Sequence, residues 1–178
     1  KECDWSSGVC SSDPADQRST GDALLTGSSF ATGEAGARLQ LGYGSAILTL
    51  AYSAVDPGYQ MQSPWSSNPF YTDAQILGYQ RAGENAFNVG ASWDLSPVGL
   101  GGIAGAVRYY TGWTSAPAAG KPLTESEWNF ALEWRPRLEF LNGLWLQALY
   151  GTAQTSQDGR VTYQDELRVT LNYSIRLY

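Results

Sequence analysis

From Glu166 to the end of the chain the residues alternate without a break. Leu167, Val169, Leu171, Tyr173, Ile175 and Leu177 take the odd positions, and Arg168, Thr170, Asn172, Ser174 and Arg176 the even ones. Period-two alternation puts apolar side chains on one face of a strand and polar ones on the other. The run is longer than an ordinary soluble strand of about 5–6 residues. The same alternation recurs in 34–43, 46–54, 86–95, 103–113, 125–135 and, less cleanly, 144–152, which makes seven predicted strands. Residues 22–30 show a fainter alternation and are the candidate for an eighth.

The connectors sort by length. Gly44-Ser45, 96–102 and 136–143 are short, whereas 55–85, 114–124 and 154–164 are longer and more polar. Short turns at one rim and long loops at the other predict an antiparallel transmembrane β-barrel. Aromatic placement sharpens this. Tyr43, Trp93, Trp134 and Tyr173 stand on the apolar faces near the short turns, and Tyr52, Phe87, Tyr109, Trp113, Trp128 and Tyr150 near the long loops. Mostly aliphatic residues lie between, the pattern of two interfacial girdles around a lipid-facing band. Seven strands cannot close a bacterial barrel, so exposed sheet edges are expected.

Composition narrows the function. Apolar residues are 43% and charged residues 16% of the 178, with 7 Trp, 11 Tyr and 20 Gly, which argues against disorder and helical bundles. No apolar run approaches the roughly 18 residues of a spanning helix, so a membrane role must use strands. The net charge of -6 disfavours nucleic acid as a partner, and the absence of His removes His-based triads, general bases and metal sites. Glu127 and Glu133 lie about 20 Å apart on one strand, too far to flank a scissile bond. No enzymatic activity, metal or cofactor is expected.

The opening stretch holds both cysteines, Cys3 and Cys10. A small disulfide loop is one reading; a non-native or disordered leader over residues 1–13 is the other and is preferred. The chain begins at Lys1, as a mature form or fragment would. Residues 14–33 read as an external loop or strand, and 34–178 as barrel.

Several segments resemble the OprD family of substrate-specific outer-membrane porins of Gram-negative bacteria. They are Tyr79-Gln80-Arg81-Ala82-Gly83-Glu84-Asn85-Ala86-Phe87, the strand Val89–Asp94, the turn at Gly99-Leu100, Val107-Arg108-Tyr109-Tyr110, and the closing Asp165–Tyr178. The resemblance covers about 34–178. It implies an 18-stranded barrel of which this chain is the C-terminal third, and a role in passive diffusion of small hydrophilic, carboxylate-bearing solutes. It makes 55–85 the seventh external loop, folded inward with the third to form a constriction. It also makes the terminal Tyr178 the signal read by the barrel-assembly machinery.

The expected partners are outer-membrane lipid and small anionic or zwitterionic solutes. The pore-lining candidates are Arg38, Arg108, Arg168, Asp94, Asn129 and Glu133; Arg135 and Arg176, at the short-turn rim, read as solvated or paired. Nine of the eleven basic residues are Arg, whose planar fork binds carboxylates. Gln147 and Leu149 stand at inward positions where relatives often carry Arg, so the basic ladder is partial. In the long loop, Tyr71, Asp73, Arg81 and Glu84 are the constriction candidates, with Arg81 and Glu84 able to pair at the loop's return.

Two rival readings differ in class. One is a small eight-stranded barrel with a structural or adhesion role, which small inward residues such as Gly90, Ala104, Ala106, Ala131 and Gly151 argue against by favouring a wider bore. The other is a soluble lipocalin-like binder with its apolar faces inward.

Overall fold

The computed structural model describes residues 3–5, 8–19, 27, 29–62, 71–114, 122–137 and 139–174. They form one antiparallel sheet in which every strand pairs with its neighbour in sequence. The nine strands are β1 (Cys3–Trp5), β2 (Gly8–Arg18), β3 (Ala31–Tyr43), β4 (Ala46–Val55), β5 (Glu84–Asp94), β6 (Ile103–Thr114), β7 (Leu123–Trp134), β8 (Leu144–Gln157) and β9 (Arg160–Tyr173). Short 3-10 turns at Ser96–Val98 and Glu139–Leu141 complete the described elements. β1 and β9 are the two edges.

The seven strands expected from alternation are β3 to β9, and two differences stand out. The opening stretch, expected to be a leader, contributes β1 and β2, with Cys10 facing Leu39 and Cys3 opposite Cys10 in register. The candidate strand 22–30 falls largely outside the described residues. The stretch 154–164 is no long loop: β8 and β9 pair to Gln157↔Arg160 around Asp158-Gly159. Both turn residues take positive φ, 53° and 74°, the geometry of a type I′ hairpin that Asp-Gly favours. Polar residues on both faces hid these strand ends, because above the lipid neither face is buried in hydrocarbon.

The two faces are chemically distinct. Outward, Phe130 (45% exposed) and Leu171 (67%) lie open with Leu41, Phe87, Leu132 and Val169. A soluble binder would have these apolar side chains inside. On β9, Tyr163 and Tyr173 stand ten residue steps apart, roughly 34 Å of strand or about 26 Å of height at a tilt of about 40°, which matches an apolar membrane band. Tyr109 and Trp128 meet across strands with ring centroids 4.8 Å apart, and Trp128, Phe130 and Tyr150 continue the aromatic strip. Gly105 lies under the Trp93 indole, 3.2 Å from where a Cβ would stand, so the ring lies flat on the sheet. The inward face is polar, and its small apolar core of Tyr79, Ala86 and Tyr110, flanked by Ala74 and Leu77, forms where the loop between β4 and β5 lies upon it.

Candidate functional site

The described residues of the connection between β4 and β5, 56–62 and 71–83, fold back over the polar face rather than away from it. Its neck is closed by backbone bonds from Asp56 N to Gly33 O (2.8 Å) and Gly83 N to Asp56 O (3.0 Å). Below the neck, Thr32 donates to Tyr59 O (2.6 Å), and the Gln17 amide exchanges two hydrogen bonds with the backbone of Gln62. Tyr71 sits over Gly36, its hydroxyl against Ser11 and Asp13, with the Arg38 guanidinium 4.7 Å from the ring centroid. Asn88 donates to Tyr71 O (3.2 Å).

Further along, the wall holds the loop by its backbone. Glu127 Oε1 accepts from Ile76 N (2.9 Å) and Oε2 from Leu77 N (2.8 Å). Asn129 Oδ1 accepts from Gln75 N (3.2 Å), and Arg168 donates to Gln75 O (3.0 Å). Tyr79, only 2% exposed and at φ 48°, stacks on Tyr110 with centroids 6.1 Å apart and fills the space above Gly112. Burial beside Glu127, Glu125 and Glu84 pushes its phenol well above the usual range, so it stays neutral. Arg81 then pairs with Glu125, while its backbone N–H donates to Glu84 Oε2 (2.9 Å), which fastens the loop's return to β5.

Register sets out the arginines. Arg38 lies in one cross-strand row with Ala51, Asn88 and Tyr110; Arg108 on β6 falls two residues nearer the short-turn rim than that row, and Arg168 on β9 four. They form a diagonal with one arginine every third strand. Arg38 is engaged by Tyr71, and Arg168 is tied to Glu166 and the loop carbonyl. Arg108 is exposed, and its stem lies across Gly90 where a side chain would collide. Asp94 is at the rim, accepting from Ser96 N (2.8 Å) and Oγ (2.6 Å) as a turn cap. Glu133 accepts from Gln147 (2.9 Å) and Arg135 (3.2 Å). Tyr178 and Arg176 lie outside the described residues.

A cleft of about 190 Å³ opens between loop residues Asp73–Gln75 and the wall of Ala106, Arg108, Tyr110, Asn129, Ala131, Leu149 and Arg168. Asp73 is exposed on its loop side. The cleft therefore gathers the Asp73 carboxylate and the Arg108 guanidinium, with Asn129 and Arg168 beside them. Four of the sequence candidates, Asp73, Arg108, Asn129 and Arg168, share this space; Asp94 does not line it. The sequence reading missed Gln75, Tyr79, Glu125 and Glu127 as loop anchors. The available signal was glycine on the polar faces: Gly36, Gly112 and Gly151 are seats for Tyr71, Tyr79 and the Gln75–Ile76 side chains. These gaps are filled by the loop and do not widen the bore.

Three comparisons bear on this arrangement. No curated protein sequence matches the chain. Among solved structures, Pseudomonas aeruginosa OccK10 (OpdN) superposes with a TM-score of 0.82 at 20% identity, over 99% of this chain and 51% of its own. OccK2 (OpdF) of the same organism, in complex with glucuronate, gives 0.81 at 16% over 97% and 47%. OpdK with vanillate gives 0.80 at 19% over 97% and 45%. The chain thus spans about half the length of these proteins, and at such identities the likeness speaks for the fold: a segment of a larger barrel, with its edges at β1 and β9. The model of the outer membrane porin, OprD family, matches residues 15–177. With its outward apolar band, inward polar wall and loop folded between them, this chain belongs to the OprD family of outer-membrane porins.

Proposed function

We propose that the chain is the C-terminal wall and inward loop of a larger barrel that lets small carboxylate-bearing solutes diffuse passively across the outer membrane. The observation that carries this is Arg108, an exposed guanidinium standing in the cleft beneath the loop. A guanidinium in a narrowed, water-filled passage attracts anions and makes bidentate bonds to carboxylates. Arg38 and Arg168 extend the positive line on either side. Glucuronate and vanillate, found with two solved relatives, are both carboxylates. Passage needs no bond making, so the proposed role is transport without catalysis.

The test is conductance of the complete barrel in planar bilayers under a salt gradient. Discrete steps with anion preference are expected, together with concentration-dependent block by a small carboxylate. Arg108→Ala should lower the preference and weaken block by about tenfold, the loss of one charge-assisted bond. Equal block in wild type and variant would refute the role given to Arg108.

A further inference from the structure

We propose that Glu127 is the positioning residue of the inward loop, a carboxylate peg that fixes the height of the cleft's roof and so keeps the passage at one cross-section. The inference rests on the channel reading above. Glu127 is 0% exposed and makes no ion pair among the described residues. Instead its oxygens take the backbone N–H groups of Ile76 and Leu77 and the side-chain amide of Asn129. A buried carboxylate is tolerable when N–H donors satisfy it, and those bonds are stronger than neutral ones. Two consecutive backbone N–H groups aimed at one carboxylate also fix orientation, since both oxygens must be met at once.

Neighbouring contacts act in the same sense. Asn129 accepts from Gln75 N, Arg168 donates to Gln75 O, and the Gln75 amide donates to Glu166 O. All but the last grip the loop by its main chain, so its side chains can vary while its position holds. Gly151 lets Gln75 and Ile76 approach: a Cβ there would stand 3.2 Å from Ile76 Cδ1 and 3.3 Å from Gln75 Cδ. The peg lies two positions from Asn129, which with Asp73–Gln75 of the loop lines the cleft that holds Arg108.

The experiment compares wild type with Glu127→Gln in the complete barrel. Gln keeps the shape but turns an N–H group toward the Leu77 N–H. Single-channel recording should show steady current in wild type, and flicker among several levels with a higher mean conductance in Glu127→Gln. Amide exchange at Ile76 and Leu77 should accelerate by about tenfold or more, while exchange in the strands stays the same. A steady current with only a shifted reversal potential would mean that Glu127 acts as a field charge, and would overturn the proposal. Unchanged current and exchange would overturn it too. If wild type itself gives no conductance steps, the channel reading fails, and the exchange measurement alone decides whether the peg exists. Should Glu127→Gln fail to fold, Asn129→Ala removes the Gln75 acceptor and one donor to Glu127, and unchanged exchange at 75–77 in that variant would overturn the peg.

Discussion

Gly112→Ala is a minimal change with a calculable effect on the loop. A Cβ at 112 would stand 2.7 Å from Tyr79 Cε1 and 3.0 Å from Glu84 Oε1, closer than the ring can tolerate in its seat. Undocking Tyr79 gives up burial of an aromatic ring, about 1.5–3 kcal/mol, and its stack on Tyr110, about 0.5–1.5 kcal/mol. It also releases the positive φ of Tyr79, which a residue with a Cβ holds at a cost of about 1 kcal/mol. The balance is about 2 kcal/mol, or about a 30-fold rise in the undocked fraction. Chymotrypsin cleavage after Tyr79 in the folded barrel reads that fraction when opening is fast compared with cleavage, so its rate should rise by about 30-fold. Tyr79→Ala removes both the ring and the cleavage site, so that arm is read by amide exchange at Leu77 and Gly78; there Gly112→Ala added to Tyr79→Ala should do nothing further, a coupling of about 2 kcal/mol. An unchanged cleavage rate in Gly112→Ala, or additive effects in the double variant, would refute the seat.

Other substitutions probe the sheet itself. Leu132, 53% exposed on the outward face, should cost about 2–4 kcal/mol when replaced by Arg, measured by urea unfolding in lipid vesicles; no loss would mean that this face does not meet hydrocarbon. Gln147→Arg, on the inward face beside Glu133, should change stability by less than about 1 kcal/mol while raising anion preference in bilayer recordings. Gly159→Ala should destabilise the β8–β9 hairpin by about 1–2 kcal/mol, because its φ of 74° crowds a Cβ, whereas Asp158→Gly should be close to neutral. Gly105→Val should displace the Trp93 indole, and tryptophan emission should shift toward that of a wetter site.

The architecture was legible because a strand's two faces are written two residues apart. Leu167 to Tyr173, or Trp128 to Trp134, state locally which side meets lipid, and the aromatic positions mark where that lipid ends. The Asp158-Gly159 turn was equally local, yet the polar residues around it concealed it, since strand ends outside the bilayer lose the apolar marking. Glu127 shows where local reading stops. On its strand it is one more inward polar residue, alternating like Asn129 and Glu133. Only the fold brings it beneath Ile76 and Leu77, some fifty positions away in the chain, and removes it from water. The same holds for Arg168, whose sequence position predicts a lumen charge but whose partner is a loop carbonyl 93 positions distant. Alternation thus determined the sheet, and the aromatic positions its lipid-facing side and membrane height. Which inward charges hold the loop and which line the cleft beneath it was decided by tertiary contact, because a side chain's partner depends on what segment happens to lie above it.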